Sequence, residues 1–217
     1  TAENNNGGVS VTNDIGVSTG NVMFSASGSL LNVVKGNGIN GGMSVVSNGA
    51  ISIARVLAEG NGLYGIQLNN YDSPLKAGIT VNNVAANRNA QDGLSLHSQG
   101  NVLLTNIQTA FNDTNRGDFQ YFSGVAVNYG KTANILNLTI GGTNYLANNT
   151  LYGLVAQTDG LVNIAGLTLD TNGNTSGGSG MYLESEGIGK TVLLTNVTAV
   201  NNYLNGAHIL SQGAVTV

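Results

Sequence analysis

Three acids, Asp159, Glu184 and Glu186, are the first candidates for chemistry in this sequence. Grouped carboxylates suit a hard cation such as Ca²⁺, and paired ones suit acid–base hydrolysis. Hydrolysis needs two carboxyl groups, or a carboxylate beside Arg or Lys, within a few ångströms. The acids here come one or two to a repeat, so no catalytic residue is expected. Gln157, Tyr182 and Glu184 form the better candidate, a polar and aromatic row that could line a groove for a glycan. Ca²⁺ at Asp159, Glu184 and Glu186 is the one cofactor expectation; solvated acids in a polar loop are the plainer one. The calcium-binding GGxGxDxUx nonapeptide is absent, and residues 36–42 lack the Lys and following helix of a phosphate loop. His97 and His208 stand singly, without metal-ligand spacing.

A second candidate lies in the longest insertion, residues 113–123. Arg116, Gly117 and Asp118 make a tripeptide that can signal adhesion to animal integrins. Phe119, Tyr121 and Phe122 follow, with Tyr129 on the next turn. Loop aromatics stack on sugar rings or on a protein partner, or simply pack the loop against its scaffold. Asn-x-Ser/Thr sequons occur at Asn112, Asn137, Asn148, Asn174 and Asn196.

What positions these residues is a repeat. Its clearest copy is GLSLHSQGNVLLTNIQTAFN, starting at Gly93. Similar units start at Gly42, Gly65, Gly124, Gly153, Gly180 and Gly206, with successive spacings of 23, 28, 31, 29, 27 and 26 residues. After each Gly comes an alternating apolar pair such as Leu94/Leu96 or Met181/Leu183. A second pair follows, such as Val102/Leu104 or Val162/Ile164. A third run starts at Val56, Val84, Ile107, Leu138, Leu167 or Val197. In the Gly124 unit the second pair reads Ala133/Ile135. Period-two alternation is strand patterning.

Two Asn columns punctuate the units. Asn83, Asn106, Asn137 and Asn196 precede the third run, broken by Arg55 and Gly166. Asn61, Asn89, Asn112, Asn172 and Asn202 follow it, broken by Thr143. Asn tolerates the left-handed backbone of a sharp bend, and stacked amides hydrogen-bond along a column. Both columns are expected to be structural, with the glycines supplying backbone freedom at the remaining bend.

Three short strands with turns of variable length describe one coil of a single-stranded parallel β-helix. The expected fold is an all-β solenoid of seven to eight coils, roughly 35 Å tall at about 4.8 Å per coil. Residues 42–217 form its regular part. Residues 1–41 form irregular coils: Gly8 as anchor places Val9/Val11, Val17/Thr19 and Val22, whereas counting back from Gly42 places Leu30, Asn32 and Val33. Both hold only with an insertion of about half a coil.

The 217 residues, 41% of them hydrophobic, suffice for one sizeable core. Only 8% are charged and the net charge is −4, without a basic run, so nucleic acid is not an expected partner. No apolar run approaches the roughly 18 residues of a membrane helix, so membrane insertion is not expected. The initial Thr1 suggests a processed chain or an excised piece. Cysteine is absent, which leaves the redox compartment open. No cap helix covers the apolar cross-section, so end-to-end self-association or continuation of the same chain is expected.

Units of the form NxxxGLxLxSxGNVLLTNIxTxxN resemble the right-handed parallel β-helix repeats of large bacterial surface and secreted proteins, including adhesins of the filamentous-haemagglutinin type. The resemblance covers residues 42–217. It implies an extracellular or cell-surface structural or adhesive module with a glycan or cell-surface partner. The same architecture in pectate lyases, polygalacturonases and phage tailspikes carries carbohydrate chemistry. Their clustered Asp, His-between-Gly and Arg-x-Lys motifs do not occur here.

Overall fold

Apolar alternation at two places in each repeat builds two long parallel sheets. They are seen in a computed structural model that describes residues 1–14, 19–39, 41–113, 122–173 and 177–217. One sheet contains β1 (Ala2–Glu3), β3 (Val22–Ser25), β4 (Asn32–Lys35), β6 (Ile51–Glu59), β8 (Ile79–Asn87) and β10 (Val102–Ala110). It continues with β12 (Leu138–Gly141), β13 (Asn144–Ala147), β15 (Val162–Asp170), β17 (Val192–Val200) and β19 (Val215–Thr216). The other contains β2 (Val9–Asn13), β5 (Met43–Ser47), β7 (Ile66–Asn69), β9 (Leu94–His97), β11 (Val125–Val127), β14 (Leu154–Thr158), β16 (Met181–Ser185) and β18 (Ala207–Ser211). The described residues are thus all-β. The chain passes between the sheets within each repeat and pairs in parallel with the next repeat, an arrangement compatible with a parallel β-helix.

The core is the row of inward apolar pairs. Ile66/Leu68, Leu94/Leu96, Val125/Val127 and Met181/Leu183 face Ile51/Ile53, Ile79/Val81, Val102/Leu104 and Val162/Ile164 across it, all buried. Full burial of each such side chain stabilises by about 1.5–3 kcal/mol. The second and third runs, expected as separate strands, are continuous in β6, β8, β10, β15 and β17. The residue between them takes a left-handed backbone, at Arg55, Asn83, Asn106, Gly166 and Asn196 with φ 57, 52, 55, 66 and 51°. Arg55 and Gly166 therefore occupy the bend column rather than interrupting it.

The second Asn column is a hydrogen-bonded ladder. Each Nδ2 donates to the Oδ1 of the next: Asn61 to Asn89 at 2.9 Å, Asn89 to Asn112 at 3.1 Å, Asn172 to Asn202 at 3.0 Å. Asn149, not Thr143, fills the gap, receiving from Asn112 at 2.9 Å and donating to Asn172 at 3.0 Å. Asn37 and Asn5 extend it at the other end. These residues are not themselves left-handed; the residue before each is, as at Gly60, Arg88, Phe111, Asn148, Thr171 and Asn201.

Two expectations about register change. In the Gly124 unit, Leu138 and Ile140 pair with Val102/Leu104 and Val162/Ile164, so they belong to the second run and not the third. The third is β13, and Asn144 stands opposite Leu167. Asn137 consequently lies before the second run. Its Nδ2 donates to Asn101 Oδ1 at 2.7 Å, and its Oδ1 accepts from Leu161 N at 2.7 Å. At the N-terminal side each anchor holds only in part: Gly8 places the first run, whereas the count back from Gly42 is one residue out, with Asn32 rather than Val33 opposite Val56. Val9 pairs with Met43, Val22 and Phe24 with Ile51 and Ile53, and Asn32 with Val56. Val22 thus sits in the second run, Leu30 is exposed, and Val17 lies outside the described residues.

The repeat glycines serve close approach rather than left-handed backbone. A Cβ on Gly93 would lie 2.7 Å from Gly124 O, 2.8 Å from Asn112 Nδ2 and 2.9 Å from Ala86 O. Gly65 would meet Asn89 Nδ2 at 2.6 Å in the same way. Ladder and glycine column are one device: the amide stack fits only because the facing position has no side chain.

Candidate functional site

The outward face of the eight-stranded sheet gathers the candidate residues, because alternation along each strand turns every second side chain away from the core. Register places Ser95 beside Ala126, then Val155, Tyr182 and His208 in one line. Gln157, Glu184 and Leu210 form the parallel line.

Gln157, Tyr182 and Glu184 meet on this face. Gln157 Nε2 donates to Glu184 Oε2 at 2.6 Å, and the Tyr182 hydroxyl donates to Glu184 Oε1 at 2.5 Å. The bonds from Gln157 and Tyr182 hold the Glu184 carboxyl below its usual range, and the bond to that carboxylate pushes Tyr182 up to about 12. Tyr182 is also the centre of a ring row. Its centroid lies 5.6 Å from Tyr152 at a 31° tilt and 5.2 Å from His208, edge-on at 86°. A carboxylate with both oxygens engaged and a fixed phenol is suited to binding hydroxyl groups against flat rings.

Farther along this face, Phe122 and Tyr129 line a cavity of about 380 Å³ together with Asp92, Ser95, His97 and Ser123. His97 Nε2 is 3.3 Å from Ser95 Oγ, while its Nδ1 is buried without a partner among the described residues. Burial, then the charge of Lys131, lowers His97 to about 4, so the ring is neutral at physiological pH. Asp92 Oδ1 accepts from Ser123 N at 2.7 Å. Of the other insertion residues, Arg116, Gly117, Asp118, Phe119 and Tyr121 lie outside the described residues.

The three acids considered for Ca²⁺ do not converge. Glu184 is held by Gln157 and Tyr182. Asn134 Nδ2 bridges Asp159 Oδ1 at 2.8 Å and Glu186 Oε2 at 2.9 Å. Among the described residues no group of three or more acidic or imidazole side chains could hold a metal ion. Nor is any helix of the described residues long and apolar enough to cross a membrane. The sequon at Asn112 lies inside the ladder, where its side chain is fully buried and a glycan has no room.

Asp92, Ser123 and Tyr152 escaped the sequence reading. Each immediately precedes a repeat glycine, and that column (Tyr64, Asp92, Ser123, Tyr152) was the available signal. A second missed pattern is Ser/Thr-x-Gly after the first strand. The hydroxyls of Ser47, Ser98, Thr158 and Ser211 accept from the backbone N of Gly49, Gly100, Gly160 and Gly213 at 3.0–3.1 Å and close that turn.

Compared with protein-family sequence profiles, with curated proteins and with solved structures, the chain matches none.

Proposed function

We propose that this protein is a non-catalytic structural and adhesive module of a surface protein or fibre, acting outside the cell. In this proposal it is a right-handed single-stranded solenoid of seven to eight coils with three short runs per coil. The observation that carries the reading is the amide ladder from Asn5 to Asn202, which links repeat to repeat with hydrogen bonds that are buried from Asn37 to Asn172. Such a column resists bending and suits a rigid spacer. The ladder also has one sense, its donors pointing from Asn5 toward Asn202, and β1 and β2 at one end and β18 and β19 at the other have an unpaired edge among the described strands. A further set of repeats, from the same chain or from a second copy, fits head to tail on such edges. Electron microscopy of the protein as isolated from its source tests this. Fibres with an axial repeat matching the stacked height are expected; discrete particles would remove the polymer reading.

The ring row of Tyr152, Tyr182 and His208 favours a second reading, binding or degradation of a polysaccharide along the outward face. Glycan release that is lost in Glu184→Gln would make it an enzyme. Retention of a polysaccharide without release, weakened by Tyr182→Ala, would make the row the adhesive surface.

A further inference from the structure

The cavity at Asp92 adjoins the Gln157–Glu184–Tyr182 row through Tyr129, but its own chemistry points to a different ligand. We propose that it binds a primary ammonium group carried on a ring-sized ligand, with Asp92 as the counter-charge and Phe122 and Tyr129 as the walls. The inference goes beyond the proposed structural and adhesive role and does not rest on it.

The cavity, about 380 Å³, accommodates a six-membered ring. Among the described residues one oxygen of Asp92 has a donor, the backbone N–H of Ser123, and the other has none and faces a ligand. No basic side chain among the described residues acts on Asp92; the charge that does is that of Asp113, of like sign. Burial, followed by this repulsion, pushes Asp92 up to about 7 despite the Ser123 bond. A carboxyl group in that condition gains most from a cation that brings its own charge. Phe122 and Tyr129 in the lining add aromatic rings, whose quadrupoles attract the same cation. His97 does not compete for Asp92, because it is neutral, and Lys131 acts on His97 rather than on Asp92. Ser95 and the imidazole supply hydrogen-bonding groups for the rest of the ligand. An anion would be repelled by the ionised Asp92, and a neutral polyol would leave the carboxylate uncompensated.

The test is an NMR titration of the whole protein with cyclohexylamine and with its neutral isostere cyclohexanol, at pH 8 and at pH 5.5. Cyclohexylammonium is expected to shift the amides of Asp92, Ser123 and Ser95 saturably at pH 8. Cyclohexanol, and cyclohexylammonium at pH 5.5 where Asp92 is protonated, are expected to bind about tenfold or more weakly. Asp92→Asn retains an oxygen acceptor for Ser123 N–H and is expected to lose binding to the same extent with its remaining spectrum intact. Equal binding of alcohol and amine, unchanged binding in Asp92→Asn, or shifts confined to other surfaces would overturn the proposal. The wild-type pH comparison decides the matter should the variant fail to fold.

Discussion

Asn112 shows how much one amide carries in this fold. It is fully buried, and all four of its side-chain hydrogen bonds are made. Oδ1 accepts from Asn89 N and Nδ2, each at 3.1 Å; Nδ2 donates to Ala86 O at 3.0 Å and Asn149 Oδ1 at 2.9 Å. Asn112→Ala strands two buried donors of Asn89 and the Ala86 carbonyl, at about 1–3 kcal/mol for each orphaned group. Denaturant unfolding should show a loss of about 3 kcal/mol or more. Asn112→Asp should be worse at neutral pH, since its second oxygen would face two acceptors, and should partly recover on acidification. At Asp92 the sign runs the other way from a salt-bridged acid. Its folded pKa is raised from 3.8 to about 7, so its ionisation opposes folding. The favourable state is fully present below about pH 4 and is lost as pH rises through 7. Asp92→Asn should therefore raise the melting temperature at pH 8 relative to wild type and have little effect near pH 4. A parallel melting curve across that range would contradict the burial of this carboxyl. Glu184, whose folded pKa is lowered, contributes stability above its unfolded pKa that is lost as pH falls through the folded one.

Strands and turns are where sequence and structure agree most and also where they part. The glycine column and the second Asn column were legible because each recurs once per repeat at a fixed offset from an apolar pair. Their joint reason was not legible, because the contact between Gly93 and Asn112 joins residues far apart in sequence. It predicts a contrast between glycines. Gly93→Ala places a Cβ under 3 Å from two backbone carbonyls and should cost about 1–3 kcal/mol or more by forcing strands apart. Gly60 has φ +63 and nothing near its Cβ, so Gly60→Asn should stay within about 1 kcal/mol of wild type. Thermal melts of the two variants check both. The Gly124 repeat was misregistered for a physical reason. Asn137-Leu138-Thr139-Ile140 has the same Asn-apolar-x-apolar signature as a third run, and only its pairing with β10 and β15 identifies it as a second. The polar row was visible because Gln157, Tyr182 and Glu184 alternate with core residues on β14 and β16. The Asp92 cavity was not, since it joins a turn, a strand and an insertion that only the stacking of repeats brings together.

For the whole molecule, stacking makes stability a nearest-neighbour property. Interior repeats are paired on both sides, whereas the strands at the two edges are paired on one. Amide exchange should therefore be slowest in β8, β10 and β15 and fastest in β18 and β19. The apolar side chains there, Leu210 at 46% and Val215 at 45% exposure, sit outside the closed core. If copies add to the column head to tail, those edge strands become interior strands in the assembly, and the ladder continues from Asn202 into the next Asn5. Protection at β1, β2, β18 and β19 should then rise with protein concentration while that of β8 and β10 stays constant. Substitution of Asn202 by Asp should suppress the rise, because an added acceptor replaces the amide donor that the next copy must receive; it also removes the donor to Leu169 O in β15, so the unchanged interior reference is β8 and β10. Edge exchange that is independent of concentration from dilute to concentrated solution would mean that these edges do not receive a second copy, and the lateral face would then be the surface by which the module acts.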